Sequence, residues 1–271
     1  MTIQEWLNND QLGIDIWEKK YRYNNETLDE WFDRVSGGDP EVRRLIIEKK
    51  FLFGGRTLAN RGTNNGSYSN CYSEGFCPDS LDGIMDTAKN IAMTYKAQGG
   101  QGISLSKIRP KGSLIAGKFK SDGIVPFMEI FNTVTESVSQ GGSRKGALLM
   151  SLDINHPEAE TFMTIKSDLK RINKANLSME IDNNFMGRVI NGDSEANRLF
   201  NILCEQACKY AEPGVILTDR FRNYNLMEFV DSYQIETCNP LTLHADLKPS
   251  LIDLEVEITT TGRKFKYSVR D

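Results

Sequence analysis

Apolar residues recur at helical spacing in two long segments of the chain, residues 80–97 and 124–139. In each segment the apolar side chains return every three or four residues, which places them on one face of a helix. Ser80 precedes the first segment and is a residue type that caps helix N-termini. The pattern predicts two amphipathic helices, with Ile84, Met85, Ala88, Ile91, Ala92 and Tyr95 at helical spacing in the first and Phe127, Ile130, Phe131, Val134 and Val138 on one face of the second.

Short apolar runs alternate with further helical patterns along the rest of the chain. They predict strands at 102–106, 147–152, 175–181 and 214–218, and helices at 41–51, 157–166 and 195–210. Asn155 and Pro157 have the residue types of a helix cap and a first helical position. Residues 1–50 look helical, whereas residues 54–69 are predicted to be a long loop. Strands that alternate with helices favour an α/β fold with parallel pairing.

Composition narrows the class of protein. The chain has 271 residues, of which 39% are hydrophobic and 26% charged, and its formal net charge is −4. No cluster of Lys and Arg indicates a nucleic-acid or membrane surface. The sequence contains neither an apolar run of transmembrane length nor a signal-peptide pattern, so a cytoplasmic protein is predicted.

The cysteines do not indicate a disulfide framework or a zinc site. There are five, an odd number in a chain without a signal peptide. Neither the cysteines nor the two histidines have the paired spacing of zinc ligands, so no metal is predicted. Cys204 and Cys208 lie one turn apart on a predicted helix and are expected to be small buried residues. A redox or metal role is the alternative for this pair.

An ordered series of short motifs runs from about residue 50 to residue 240. The motifs are Asn70-Cys71, Asp79–Leu81, Ile108–Ser113, Gly123–Phe127, Gln140–Ala147, Ser167–Leu169, Lys174–Ser178 and Cys238–Pro240. In this order they resemble the large, catalytic subunit of ribonucleotide reductases. Residues 166–181 look most like the adenosylcobalamin-dependent class, although the diiron-partnered class shares the same skeleton.

The resemblance implies a fold and a division of the chain. An N-terminal helical region would occupy residues 1–50. Residues 51–240 would form the first half of a ten-stranded α/β barrel, together with the helices of the effector site. The barrel would be truncated there, and residues 241–271 would be an unrelated tail.

The resemblance also implies roles at the substrate site. Cys71 matches a cysteine that reduces the ribose as the 2′-hydroxyl leaves and then pairs with a second thiol. Asn239 matches an asparagine that hydrogen-bonds the ribose hydroxyls. The residues implied to bind substrate are Thr57, Asn70, Gln140 and Arg144. Without the resemblance, Cys71 would be a buried strand-end cysteine and Thr57 a turn hydroxyl.

A second implied site would bind a deoxynucleoside triphosphate effector. Its residues would be Asp79, Ser80, Arg109 and Lys118, with Asp79 accepting from a deoxyribose hydroxyl and Arg109 pairing with phosphate. Without the resemblance, Asp79 would be interpreted as a carboxylate at a helix N-terminus that interacts with the helix dipole. The loop 140–146 would transmit the identity of the effector to the choice of substrate. The two long helices would form a homodimer interface; ordinary core packing is the simpler alternative.

The resemblance stops at Asn239-Pro240. In the family the next residue is the cysteine that carries the thiyl radical, whereas this chain has Leu241. The residues that follow match nothing in the family, and alternation from 254 to 269 predicts a β-hairpin. An intron or intein at this point, a second chain that supplies the cysteine, and a relative without catalysis are the alternatives.

Two functions therefore stay open. The first is a portion of a ribonucleotide reductase, inactive alone, whose radical source would be adenosylcobalamin and whose reductant would be a thioredoxin-like protein. The second is a deoxynucleotide-binding or dimerising protein without catalysis. The sequence does not distinguish diphosphate from triphosphate substrates.

Overall fold

The computed structural model describes residues 1–64, 68–97, 99–138 and 146–223, together with residues 255–260 and 263–268. Contacts divide the chain into two compact units, Met1–Asn70 with Pro249–Asp271 and Cys71–Lys248. Helices dominate the first 70 residues. A parallel sheet is the centre of the second unit.

The first unit is built from short helices with well-defined N-termini. They are α1 (Ile3–Trp6), α2 (Gln11–Ile16), a π-helical turn (Trp17–Tyr21), α3 (Leu28–Ser36), α4 (Pro40–Ile47) and α5 (Gly55–Asn60). Thr27 and Glu30 form a capping box at the start of α3, and Pro40 is the first residue of α4. The aromatic centre of this unit consists of Trp6, Trp17, Trp31 and Phe32.

A buried ion pair holds the carboxyl end of α5 in this unit. Arg34 donates to both carboxylate oxygens of Glu26, at 2.9 and 2.8 Å, and both side chains are only 10% exposed. The same guanidinium donates to the carbonyls of Leu58, at 3.2 Å, and Arg61. The last carbonyls of a helix lack partners within it, so Arg34 satisfies polar groups that would otherwise be buried without hydrogen bonds.

The second unit contains a five-stranded parallel sheet. Its strands are β1 (Cys71–Phe76), β2 (Gly100–Ser104), β5 (Leu148–Asp153), β6 (Ala175–Ile181) and β7 (Gly214–Leu217). They lie side by side in that order, so each strand pairs with its neighbours along the chain apart from the small hairpin β3–β4. This arrangement confirms the expected α/β fold with parallel pairing.

The helices of the second unit pack on one face of this sheet. They are α6 (Leu81–Lys96), α7 (Val125–Val138), α8 (Ala159–Thr164), α9 (Asn183–Ile190) and α10 (Ser194–Tyr210). A further short helix, α11 (Thr218–Asn223), directly follows β7. One apolar cluster joins residues from α6 to α10 with alternate residues of the strands, among them Ile103, Met150, Leu152, Leu177 and Met179. Ser80 caps α6 through a 3.1 Å hydrogen bond from the Gly83 amide, as predicted.

The other face of the sheet carries small and polar side chains. Residues in register on parallel strands point to the same face, and successive residues point to opposite faces. Ser104 aligns with Ser151, and Ser151 aligns with Ser178. All three are buried, on the face opposite the apolar cluster. A parallel strand is commonly apolar on both faces, so this alternation marks the sheet as having two distinct environments.

Two antiparallel hairpins complete the described elements. In the second unit, β3 (Leu114–Ile115) pairs with β4 (Phe119–Lys120). Near the C-terminal end, β8 (Glu255–Thr260) pairs with β9 (Arg263–Ser268) through six residue pairs. The second hairpin lies where the alternation of residues predicts one.

Three local expectations were wrong. The predicted loop 54–69 contains the helix α5. The helix expected to begin at Pro157 begins at Ala159, because the residues before it form turns that bond to a neighbouring loop. Cys204 and Cys208 are exposed rather than buried, because the inward stripe of α10 runs through Ala196 and Leu203 and the two cysteines lie about 100° and 140° from Leu203 around the helix.

Replacing Arg34 with Met is expected to lower the free energy of unfolding by about 3–5 kcal/mol, because Glu26 would be left as a buried charge without its partner. Urea denaturation of the full chain measures this. Arg44→Met is the matched control, since Arg44 makes exposed ion pairs with Glu41 and Glu48 and should leave the midpoint unchanged. Equal midpoints for the two variants would contradict the structural role of Arg34.

Candidate substrate and effector sites

Cys71 lies at the amino-terminal edge of the sheet, as the first residue of β1. It pairs in register with Gly100, and Ser73 pairs with Gly102. Because Gly102 is two residues before Ser104, Cys71 belongs to the polar face. Its thiol is free and partly exposed. Gly100, its partner on β2, has no side chain.

Cys77 has a different environment from Cys71. It is 1% exposed, and burial raises the pKa of its thiol to about 11. It follows the last residue of β1, and the partners of Cys71 and Phe76 on β2 are Gly100 and Ser104. The Cα atoms of Cys71 and Cys77 are therefore about 15 Å apart. A disulfide needs Cα atoms within about 7 Å. Cys77 is therefore structural, and it is not the disulfide partner of Cys71.

The polar face also holds a carboxylate network that the sequence analysis missed. Glu180 accepts from the hydroxyls of Ser151, at 2.6 Å, and Ser106, at 3.2 Å. The Ser106 hydroxyl also accepts from the amide of Asp153 at 2.8 Å. The network lies at the carboxyl edge of the sheet, away from Cys71. The signal that could have revealed it is the alternation of polar and apolar residues in β5 and β6.

Two expected substrate residues belong to the first unit. Thr57 is 4% exposed and lies on α5, whose N-cap is Gly54. Asn70 is partly buried and directly precedes Cys71 in the chain. The other expected residues, Gln140, Arg144 and Asn239, lie outside the described residues, as do Cys238 and Leu241.

The structure brings three of the four expected effector residues together. Asp79 and Ser80 immediately precede α6, and Arg109 donates from Nε to the Asp79 carboxylate at 2.7 Å. A second nitrogen of Arg109 donates to the Asp79 carbonyl at 3.2 Å, and a third donates to the Leu114 carbonyl at 3.4 Å. Among the described contacts, these use three of the five N–H groups of the guanidinium and leave two for an oxyanion.

The fourth residue, Lys118, lies in the turn of the β3–β4 hairpin. Its amide donates to the Ile115 carbonyl at 3.1 Å, and its side chain is exposed. The hairpin follows Arg109 closely, and Leu114 and Phe119 on it are 65% and 69% exposed. A cation beside exposed apolar side chains suits a ligand that has both a phosphate and a planar base.

These effector residues follow the carboxyl ends of neighbouring parallel strands. Asp79 comes after β1, and Arg109 comes after β2. Carboxyl ends of parallel strands meet at one edge of a sheet, where ligands commonly bind. Cys71 is at the opposite edge, so the chain separates the two expected sites by about the length of a strand, roughly 20 Å.

Residues 69–195 match the family model described as ribonucleotide reductase, barrel domain. The matched segment includes four of the five strands of the parallel sheet, together with Cys71, Asp79 and Arg109. The segment that contains these four strands is therefore similar to a ribonucleotide reductase barrel domain. This confirms the predicted fold class.

Several reductases are similar to the chain over most of its length. It is 33% identical over 203 residues to a vitamin B12-dependent ribonucleoside-diphosphate reductase of Thermoplasma acidophilum, an alignment that covers 68% of this chain and 26% of the relative. It is 31% identical over 231 residues to the ribonucleoside-diphosphate reductase large subunit of Monkeypox virus, covering 76% of this chain and 29% of that protein. The ribonucleoside-diphosphate reductase large subunit of Danio rerio is 33% identical to the chain over 174 residues, an alignment that covers 62% of this chain and 21% of the relative.

The chain thus spans roughly a quarter of the length of the curated relatives it matches. Only one of these three names states a dependence on vitamin B12. The similarity therefore supports the reductase large-subunit family without selecting the radical source that the sequence analysis favoured.

A solved structure shows the same fold. The class Id ribonucleotide reductase alpha subunit of Actinobacillus ureae superposes with a TM-score of 0.70 at 23% sequence identity, covering 81% of this chain and 42% of that subunit. The reductase barrel segment therefore has a structural counterpart as well as sequence relatives.

The described part of this reductase segment contains no group of three His, Cys, Asp or Glu side chains arranged to hold a metal ion. Within the same residues, no helix is both long and apolar enough to cross a membrane.

Timed alkylation should separate the cysteines of this reductase segment. With iodoacetamide near pH 8, Cys71, Cys204 and Cys208 are expected to react before Cys77, because Cys77 is buried and its raised pKa leaves almost no thiolate. Peptide mass spectrometry measures each site. The urea-unfolded chain is the control, in which all sites should react at similar rates. Labelling of native Cys77 as fast as Cys71 would contradict the assignment of Cys77 as structural.

Proposed function

We propose that this chain supplies the first strands of the catalytic barrel of a ribonucleotide reductase, with Cys71 as a reducing thiol and Asp79 and Arg109 in an effector site. The observation that carries the proposal is the position of Cys71. It is a partly exposed free thiol at one edge of the polar face, in the segment that matches the reductase barrel.

Cys71 would reduce the ribose in a two-electron step. The Cys71 thiol and a second cysteine thiol would together give up two hydrogens, one of which leaves with the 2′-hydroxyl as water while the other replaces that hydroxyl on the 2′-carbon. The two sulfurs then form a disulfide. A thioredoxin-like protein would return the two electrons by exchange with that disulfide. The second cysteine is not Cys77, for the geometric reason given above.

The residues proposed to hold the substrate are those that the family resemblance implies. Asn70 directly precedes Cys71, and Asn239 would offer both a donor and an acceptor to the ribose hydroxyls. Thr57 would contribute a hydroxyl, and Gln140 and Arg144 would contact the base. We propose a ribonucleoside diphosphate as the substrate, because the relatives described above are named as diphosphate reductases.

Adenosylcobalamin is the proposed radical source, on the strength of the Thermoplasma acidophilum relative, whose name states B12 dependence. When bound, this cofactor supplies an organic radical that oxidises a cysteine thiol. In the resemblance that cysteine follows Asn239-Pro240, where this chain has Leu241. Leucine has no thiol, so Leu241 cannot take the role of the radical cysteine. We therefore propose no reaction step in which a residue of this chain is oxidised by the cofactor.

The chain alone is therefore expected to produce no deoxyribonucleotide. Fusing residues 1–240 to the part of the Thermoplasma acidophilum relative that follows its matching Asn-Pro pair should give activity with cytidine diphosphate, adenosylcobalamin and dithiothreitol. In this fusion, Cys71→Ser should abolish product. Cys77→Ser should retain it, because Cys77 is buried in the core and is far from Cys71.

Two outcomes would contradict the proposal. Turnover by the unfused chain would mean that a thiol other than the one expected after Pro240 starts the reaction. Equal activity of the Cys71→Ser and Cys77→Ser fusions would remove the role of Cys71. Saturable deoxynucleotide binding with no active fusion would favour the alternative of a nucleotide-binding protein without catalysis.

A homodimer through α6 is the proposed assembly. Leu81, Met85 and Met93 on this helix are 66%, 43% and 54% exposed, and they form an apolar stripe that Lys89 interrupts between Met85 and Met93. Such stripes mark protein–protein contacts. The same helix begins at the proposed effector site, so association and effector binding would involve one surface.

Met85→Glu is expected to weaken self-association, because it places a charge in this apolar stripe. Light scattering after size-exclusion chromatography measures the change in mass. Leu169→Glu is the matched control, since Leu169 is 74% exposed and lies outside α6. A monomeric wild-type chain, or equal association of both variants, would contradict the proposed interface.

A further inference from the structure

We infer that His156 and Glu158 form a clasp that positions the effector loop, and that Glu158 is a positioning residue for Arg109. This inference rests on the proposed effector site. The clasp follows β5, whereas the loop it holds follows β2. It lies outside the motifs on which the effector site was recognised in the sequence.

One carboxylate oxygen of Glu158 joins the two ends of the effector loop, Lys111 and Ile124, through hydrogen bonds. Glu158 Oε2 accepts from the backbone amide of Lys111 and from that of Ile124, both at 3.1 Å. The residues between these two amides contain the β3–β4 hairpin and Lys118. Glu158 is 9% exposed. A buried carboxylate with two charge-assisted hydrogen bonds is a strong anchor, since these bonds are about twice as strong as neutral ones.

The imidazole of His156 makes a third attachment. Its Nε2 lies 2.9 Å from the Ile108 carbonyl, and its Nδ1 lies 3.1 Å from the amide nitrogen of Glu158. A carbonyl can only accept and an amide N–H can only donate, so Nε2 carries the proton and Nδ1 accepts. The neutral ring therefore joins the residue before Arg109 to the residue that closes the loop.

The attachments flank Arg109 on both sides. The Ile108 carbonyl is held by His156, and the Lys111 amide is held by Glu158. The backbone on either side of Arg109 is thereby fixed to the segment after β5. Its guanidinium is then directed to Asp79 at the start of α6. Loss of the clasp would free this backbone and spread the guanidinium over many orientations, which weakens oxyanion binding through lost preorganisation.

Gly123 provides the space for the carboxylate. Its φ is +80°, and a Cβ atom at this position would lie 2.3 Å from both oxygens of Glu158. A glycine is therefore required both by the backbone conformation and by the close approach of the side chain. Substitution of Gly123 is a second way to displace Glu158 without altering the carboxylate itself.

Isothermal titration of the 271-residue chain with dTTP tests the inference. The Glu158→Ala and Gly123→Ala variants should each bind dTTP about tenfold more weakly. This loss of affinity is about the size expected when one strong hydrogen bond that positions the backbone beside Arg109 is removed. Glu158→Gln keeps an oxygen acceptor without the charge, so a loss of only about threefold is expected. Glu160→Gln is the matched control, because Glu160 pairs with Arg198 on the surface, and it should bind as wild type does.

Hydrogen–deuterium exchange gives a readout that does not depend on the nucleotide. The Lys111 and Ile124 amides should exchange slowly in wild type and in Glu160→Gln. They should exchange faster in Glu158→Gln, and faster still in Glu158→Ala, whereas amides of β5 and β6 should not change. If Glu158→Ala fails to fold, the amide exchange rates and dTTP affinities of Glu158→Gln and Glu160→Gln are compared, and this comparison tests the inference.

The outcomes separate this inference from the proposal on which it rests. Equal dTTP affinity in Glu158→Gln, Gly123→Ala and wild type, or unchanged exchange at the two amides, would overturn the clasp alone. Absence of saturable dTTP binding by wild type would overturn the effector site and, with it, the role of Glu158 in nucleotide binding.

Discussion

The register of the parallel strands is the constraint on which the rest of this chain depends. Because Ser104, Ser151 and Ser178 align across three strands, their neighbours Ile103, Met150 and Leu177 must all point to the opposite face. That face forms the apolar core with α6 to α10. A slip of one residue would move serines into the core and expose the apolar set. The polar face on which Cys71 lies is thus a direct consequence of how the core is packed.

The same register gives the sheet two chemically different edges. At the amino edge, Cys71 is in register with Gly100, a residue without a side chain. At the carboxyl edge, the segments after β1, β2 and β5 converge, and Arg109 is held between Asp79 and the clasp of His156 and Glu158. The proposed function, reduction of one nucleotide and a response to another, would need two such separated places. Parallel pairing provides them because all strands begin at one edge and end at the other.

Much of this fold could be predicted from the sequence. The long helices α6, α7 and α10 and the strand β6 have strong periodicity and were found close to their observed bounds. The strand β1 was not, because Tyr72, Ser73, Glu74 and Gly75 show no apolar alternation. It forms because the neighbouring strand β2 supplies its hydrogen-bond partners. Local pattern cannot report a strand whose stability comes from its neighbour.

Some residues of the candidate sites could also be predicted from the sequence, whereas others could not. The resemblance implied that Asp79 and Arg109 belong to one effector site; the two side chains form an ion pair, and their role in binding an effector stays a prediction. The clasp was missed because His156 and Glu158 are far from Lys111 and Ile124 in sequence, and Pro157 between them suggested a helix start. Cys204 and Cys208 were misjudged because cysteine is commonly buried, whereas these two lie about 100° and 140° from the inward Leu203 around α10.

A crystal structure of the chain with a bound ribonucleoside diphosphate would test the central claim most directly, namely that the amino edge of the polar face is the substrate site. The account predicts that the ribose lies against Cys71, with its 2′-carbon within about 4 Å of the thiol sulfur, the distance of van der Waals contact. A nucleotide bound elsewhere in a well-ordered complex, with the Cys71 thiol facing only solvent, would contradict it.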